Sequence, residues 1–335
     1  MTGFELYLKR NSKKWDTYLA GFFSDGSHPD MRRYLYGPVA GFTANAGKRH
    51  RPIICLLACE AVGGDPERAK PSAAAIEHFH TAALIHDDIE DSSLTRRGEP
   101  CLHVCEGDGI AINAGDLALA LVCGTVVHDA GLDDRTKLRV LAELVDMTTR
   151  TIEGQALDIG WARDDRFDLT VEDYLVMARH KTAFYSGAVP LAVGAIVGGG
   201  TDEQIEALRT FGMAAGLAFQ IQDDVLNLVG TRESTKKDFR SDLTEGKRTL
   251  VAIHALENFA RRERLLEILS ARVTDPALLD EAVAIMAEAG SIEFASGYAR
   301  DLILGAKRSL EAALPETKAR KLLLSMADFF VKRSS

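Results

Sequence analysis

The chain has 335 residues, of which 46% are hydrophobic, and a formal net charge of −9. That length and apolar content can build a large core. The negative balance excludes general nucleic-acid binding, so a phosphorylated ligand would need local basic clusters.

The first fifteen or so residues read as an amphipathic helix, with Phe4, Leu6, Leu8, Trp15 and Leu19 on one side. Gly21 to Pro29 is a turn region, and a short helix runs on to about Val39. Phe42 to His50 reads as a polar loop. Pro52 opens the apolar helix IICLLACEAV, stopped by Gly63 and Gly64, and Pro71 opens the next. A loop through Gly109 precedes IAINAGDLALALVCGTVVHDA, which ends at Gly131. Asp133 caps a long helix to about Ile159, with Leu138, Leu141, Leu144 and Val145 at amphipathic spacing. Thr170 caps a helix that bends or breaks near Lys181. Gly198 to Gly200 closes that region, and Thr201 caps DEQIEALRTFGMAAGLAFQIQDDVLNLV. Gly230 to Gly246 is a charged loop, followed by four or five amphipathic helices. No strand alternation or βαβ rhythm is present. The expectation is a single all-α domain spanning residues 1–335, with ten or more helices around a central cavity.

The N-terminus lacks an apolar stretch of signal-peptide length. No uninterrupted apolar run reaches the roughly 18 residues of a membrane span. The nearest, from Gly187, carries Pro190. Cys55, Cys59, Cys101, Cys105 and Cys123 read as reduced structural thiols of a cytoplasmic protein, with a zinc site as the weaker alternative.

The chemistry concentrates in two acidic clusters. In AAIEHFHTAALIHDDIEDSSLTRRG, Asp87 and Asp91 stand four apart and share a helix face, with Asp88 beside them and Glu90 pointing elsewhere. Stacked carboxylates at a helix C-terminus repel one another and oppose the dipole. Such an arrangement recruits hard cations, Mg2+ or Ca2+; the alternative is a solvated acidic helix end. Arg96 and Arg97 follow closely, as a metal-bridged phosphate site would want. In the second cluster Gln220, Asp223, Asp224 and Asn227 form one stripe at the end of another apolar run. Facing each other, the clusters would line the mouth of a greasy cavity. Lys48, Arg49 and Arg51, and Lys236, Lys237 and Lys247, are the basic residues that could complete an anion site. Taken singly, each is a solvated charge run.

Together the motifs GKRHRP, HTAALIHDDIEDSSLTRRG, the HKTA run at His180, FQIQDD at Phe219 and SDLTEGKRTL at Ser241 resemble the trans-prenyl diphosphate synthases, or polyprenyl synthetases. They follow the family order over nearly the whole chain. The resemblance implies Mg2+-assisted ionisation of an allylic diphosphate, attack by isopentenyl diphosphate and loss of a proton to the released diphosphate. It implies that Asp87 and Asp91 bind Mg2+ from one side and Asp223 from the other, three ions in all, with Asp88, Asp224 and Asn227 as outer partners. Arg96, Lys181, Lys237 and Lys247 would hold the allylic diphosphate. Lys48, Arg51, His80 and Arg97 would hold isopentenyl diphosphate, and Thr182 and Gln220 would set oxygen dipoles near the cation. Asn227 departs from the family's third aspartate, and TKKDFRSDL departs from the usual glycines around the lid lysine. A homodimer is also implied.

Ala83 and Ala82 stand where bulk would stop the product early, and Phe79 lies about one turn deeper. Geranylgeranyl diphosphate is therefore the expected product, with Leu119 and Cys123 able to move the floor and longer chains as the alternative. A class I terpene cyclase would not need FQIQDD and GKRHRP. An inactive regulatory subunit has only Asn227 in its favour. A di-iron carboxylate bundle would want Glu-x-x-His pairs, and none stands in a suitable position.

Overall fold

The computed structural model describes residues 2–23, 26–45, 47–230, 240–258 and 260–332. They are almost entirely helical, and the one strand pair is Thr95–Arg96 with Glu99–Pro100. The fold is the expected all-α bundle.

At its centre lies the first acidic helix, Lys70–Glu90, whose residues from Ser72 to Ala82 are all buried. The small residues Ser72 to Ala75 and Ala82 let neighbouring helices approach closely. The helices His50–Ala61, Asp108–Val127 and Val189–Val197 pack around it, with the long helix Asp134–Arg163 beside them. The second acidic helix, Asp202–Val229, packs against the segments Arg179–Ala188, Val189–Val197, Ser291–Ala313 and Lys318–Lys332.

Local chemistry sets the ends as the sequence led us to expect. Asp133 accepts from the Thr136 amide, and both Thr170–Asp173 and Thr201–Gln204 form reciprocal capping boxes. The bend expected near Lys181 is a widened, π-type helix over Arg179–Ala188. Pro190, just beyond it, has no N–H to offer back to the preceding turn, so the helix opens there. Glycines allow this widened segment to sit deep. A Cβ on Gly154 would lie 2.1 Å from the Lys181 nitrogen, and one on Gly187 would lie 2.1 Å from the Gly212 oxygen.

Several boundaries differ from the sequence reading. A helix, Gly37–Ala44, takes up the start of the expected loop, and His50 already begins the next helix. The loop before Gly109 contains a short helix, Leu102–Glu106, and the following helix starts at Asp108. The long helix continues to Arg163 because Arg248 and Arg272 donate to the carbonyls of Trp161 and Ala162 at its end. Leu138 and Val145 point outward rather than into the core. Helix Asp108–Val127 is long and apolar enough to cross a membrane, which the sequence reading did not identify; it packs along the first acidic helix. All five cysteines are free, but Cys105 and Cys123 are exposed rather than buried.

Candidate active site

The first acidic helix ends at Glu90, with Asp91 as its cap. Asp87 and Asp91 are half-buried, whereas Asp88 is fully buried. Arg96 reaches back from the strand pair as a fork. Its Nη2 donates to Asp87 Oδ2 at 3.0 Å and its Nε to Asp88 Oδ1 at 2.5 Å. Burial drives the Asp88 carboxyl upward despite that arginine.

The long helix supplies two residues the sequence reading missed. Gln155 donates to Asp87 Oδ1 at 3.3 Å and to Glu90 Oε2 at 2.5 Å, so Glu90 faces this helix instead of pointing elsewhere. Asp158, one turn on, accepts from Lys181, whose ammonium also lies 3.8 Å from Asp87 Oδ1. Burial works to raise Asp158, yet Lys181 and Lys247 hold it below the usual carboxylate range. Burial works to lower Lys181, but Asp158 and Asp87 together raise it above its ordinary value. The signal for both missed residues was polar side chains three apart in the small-residue run EGQALDIG.

Lys247 donates to Asp91 Oδ2 at 2.9 Å and pairs with Glu245 at 2.8 Å. It also lies within electrostatic range of Asp242, which in turn is the largest charged influence on Asp224. The segment from Ser241 to Lys247 therefore bridges the two acidic helix ends. Asn227 fastens that bridge. Its Nδ2 donates to Ser241 Oγ at 3.2 Å, and its Oδ1 accepts from the Asp242 amide at 3.3 Å.

On the second acidic helix Asp223 is half-buried and Asp224 buried. Asp224 accepts from Tyr174 Oη and from Gln220 Nε2, both at 2.7 Å, and burial followed by Asp242 pushes it far up. Thr182 Oγ1 donates to Gln220 Oε1 at 2.6 Å. Gln220 is thus locked between a hydroxyl and a carboxyl.

The basic residues at the start of helix His50–Ala61 divide by role. Arg49 is buried and structural: it donates to Asp16, Glu77 and the Thr43 carbonyl. Its left-handed backbone, φ 53°, turns the chain into the helix. Arg51 donates to Ser186 Oγ at 2.8 Å and lies 4.5 Å over the Tyr185 ring. The same ring lies 5.9 Å from His80. His80 is held neutral by burial, then by Arg51, Arg97, His50 and Arg96. Arg97 donates to the Asn45 carbonyl, and burial with Arg49 lowers it to about 10. Lys48 is exposed, 5.7 Å over Phe329. The structure therefore gathers Arg51, His80 and Arg97 into one positive cluster. Lys236 and Lys237 lie outside the described residues. Phe79 is buried with its ring edge on Tyr185 at 5.6 Å; Ala82 is buried, Ala83 half-buried and Leu119 half-buried, while Cys123 is exposed. A separate groove of about 920 Å³, lined by Arg32, Asn45, Glu99 and Cys105 among others, contains none of these acids.

Oxygen donors of this kind suit a hard divalent cation. Among the described residues no three acidic, histidine or cysteine side chains converge into a closed metal cage. A cation gripped by Asp87 and Asp91 would need oxygens from diphosphate or water to fill its shell, the usual habit of Mg2+.

A family model described as polyprenyl synthetase matches residues 32–286. A short chain isoprenyl diphosphate synthase of Methanothermobacter thermautotrophicus is 44% identical over 289 residues, 86% of each chain. The geranylgeranyl pyrophosphate synthetase of Pyrococcus horikoshii is 34% identical, with a TM-score of 0.90 over 98% of each chain. A geranylgeranyl pyrophosphate synthase of Corynebacterium glutamicum, solved with isoprenyl diphosphate and magnesium, is 28% identical, with a TM-score of 0.86 over 99% of each chain.

Proposed function

The chain belongs to the polyprenyl synthetase family and is a trans-prenyl diphosphate synthase, and from that premise we propose the role of each site residue, the product and the assembly. The reaction joins isopentenyl diphosphate to an allylic diphosphate. The observation that carries the assignment is the interlaced row Asp158–Lys181–Asp87 and Asp91–Lys247, acids and ammoniums alternating at the end of an apolar helix. Such a row can open to take a polyanion and its counter-cations without leaving bare charge behind.

Asp87 and Asp91 hold magnesium on one side and Asp223 on the other, with three ions the expected complement. Magnesium, when bound, neutralises charge on the departing diphosphate. Asp88 is braced by Arg96, and Asp224 by Tyr174, so each stiffens the ligand next to it. Arg96, Lys181 and Lys247, with Lys237, hold the allylic diphosphate. Lys48, Arg51, His80 and Arg97 hold isopentenyl diphosphate. Neutral His80 suits this place, because a donor that is not charged adds no repulsion to its three arginine neighbours. Thr182 and Gln220 orient their oxygens toward the allylic cation, and their mutual hydrogen bond fixes that direction before substrate arrives. No protein base is required, since the released diphosphate accepts the proton. Asn227 adds no charge to the second cluster; it fastens the Ser241–Lys247 bridge.

Geranylgeranyl diphosphate is the proposed product, because Phe79 rather than Ala82 or Ala83 supplies the first bulk below Asp87. The proposed assembly is a cytoplasmic homodimer. Its location is supported by five free cysteines and its pairing by an exposed apolar stripe on the long helix. The test is incubation of the purified chain alone with isopentenyl diphosphate, Mg2+ and each allylic primer in turn. A twenty-carbon product that disappears with chelator is expected. No product from any primer would overturn the site assignment.

A further inference from the structure

We propose that Arg248 is a positioning residue for Lys247, tying the lysine-bearing bridge to the helix that carries Gln155 and Asp158. This deepens the functional reading above and rests on its assignment of Lys247 to the allylic diphosphate.

Arg248 follows Lys247 in the chain but faces the opposite way. It is buried, and its guanidinium lies face-on to the Phe167 ring at 3.8 Å. Nε donates to the Arg166 carbonyl at 2.5 Å, Nη2 to the Trp161 carbonyl at 3.4 Å, and Nη1 to the Gly246 carbonyl of its own turn. Asp165 lies 3.7 Å from Nη2. One side chain thus joins the Gly246 turn to the last carbonyls of helix Asp134–Arg163 and to the loop beyond it. Arg272 reinforces the same joint, donating to the Ala162 carbonyl and to Asp165. Gly246 sits between the two arginines in a left-handed conformation, φ 70°. A guanidinium suits this joint because it offers several donors in one plane to carbonyls at the negative end of a helix.

The consequence falls on Lys247. Its backbone amide is held by the Asp242 carbonyl at 2.8 Å. With residue 248 clamped on the far side, the ammonium has few ways to point except toward Asp91 and Glu245. The joint is anchored on the last turn of the helix whose Asp158 grips Lys181. Both phosphate-facing lysines are therefore referenced to one rigid element.

The experiment compares Arg248→Ala, Arg248→Lys and Lys247→Ala in steady-state kinetics with each substrate varied separately. Arg248→Ala is expected to raise KM for the allylic diphosphate by about tenfold while KM for isopentenyl diphosphate stays within about twofold. Arg248→Lys should recover little, because an ammonium cannot fork, and guanidinium ion at non-denaturing concentration should partly restore Arg248→Ala. A loss of packing alone would move both KM values together and would not respond to guanidinium. Equal movement of the two KM values, or no movement, overturns the proposal. If Lys247→Ala leaves the allylic KM unchanged, the assignment of Lys247 fails and this inference with it. If Lys247→Ala shows the split and Arg248→Ala does not, only the inference fails. Should Arg248→Ala not fold by circular dichroism, Phe167→Leu, which removes only the ring beneath the guanidinium, is read in the same way.

Discussion

Two residues separate the electrostatic demands of the site from those of the core. Asp91 accepts from Lys247 and stands at the helix end, so removing its charge takes away one of the acids around that ammonium and leaves its ion pair to Glu245. Asp91→Asn keeps the shape and one acceptor, and should lower kcat by about 10²-fold or more, the usual loss for one preorganised electrostatic contact. Saturating Mg2+ would restore part of the loss if affinity is the main deficit; a kcat within twofold of wild type would remove Asp91 from the metal side. His78 illustrates the opposite case. It lies on the same helix but faces the rings of Phe22 and Phe23, and neither of its nitrogens has a partner among the described residues. Burial lowers it from 6.5 to about 4. The unfolded chain therefore binds more protons than the folded one between those values. Stability from this site is complete above about pH 6.5 and declines as pH falls toward about 4, by roughly 3 kcal/mol in all. His80, also lowered by burial, adds to the same slope. Urea unfolding of His78→Leu at several pH values should show a shallower decline over that window, and a slope equal to wild type would remove His78 as a cause.

At the scale of elements, the helical punctuation was legible because capping is local: Asp133, Thr170 and Thr201 each announce a helix through a side chain that bonds its own backbone. The acids and basic residues were legible as types at fixed spacings. What could not be read was which helix would face them. Gln155 and Asp158 carry no spacing signal that names a partner, and only packing turns them toward Asp87 and Lys181. The bridging role of Asn227 is equally a matter of where residues 241 and 242 come to lie. Gly154 is the contact point between the long helix and the widened segment, and a methyl group there would lie 2.1 Å from the Lys181 nitrogen. Gly154→Ala should cost at least about 1–3 kcal/mol through overpacking and should impair turnover by displacing Lys181. Thermal unfolding and kinetics on the same preparation check both halves; a variant as stable and active as wild type would mean the two elements part easily. On the first acidic helix, Phe79 packs edge-on against Tyr185. Phe79→Ala should open the floor by about one turn, and chromatography should then show products longer than twenty carbons. Unchanged product length would move the floor elsewhere.

The whole molecule leaves one large surface unexplained by its own packing. On helix Asp134–Arg163 the side chains of Leu138, Val145, Ile152 and Ile159 are 69%, 55%, 59% and 39% exposed. They stand seven apart, so they form one outward stripe two helical turns per step. Leu144, Met147 and Asp158 of the same helix face inward and are buried. The helix is thus apolar on two sides, which a helix serving only its own core does not need. Ile112 and Val127, exposed on helix Asp108–Val127, add apolar surface on an element that packs beside it. A row of exposed apolar side chains of this kind is suited to an interaction site, and a self-complementary stripe is what two copies related by a two-fold axis can share. The stripe also lies close to the chemistry, because Gln155 and Asp158 stand between Ile152 and Ile159 on the same two turns of helix. Pairing through this face would stiffen the turns that position Asp87 and Lys181. Sedimentation at micromolar concentration should accordingly give twice the 36.5 kDa chain mass. The double variant Val145→Glu with Ile152→Glu should sediment as one chain, keep its helical circular dichroism and lose most of its turnover. A wild-type chain that sediments alone, or a monomeric variant with full activity, would disconnect this face from the site.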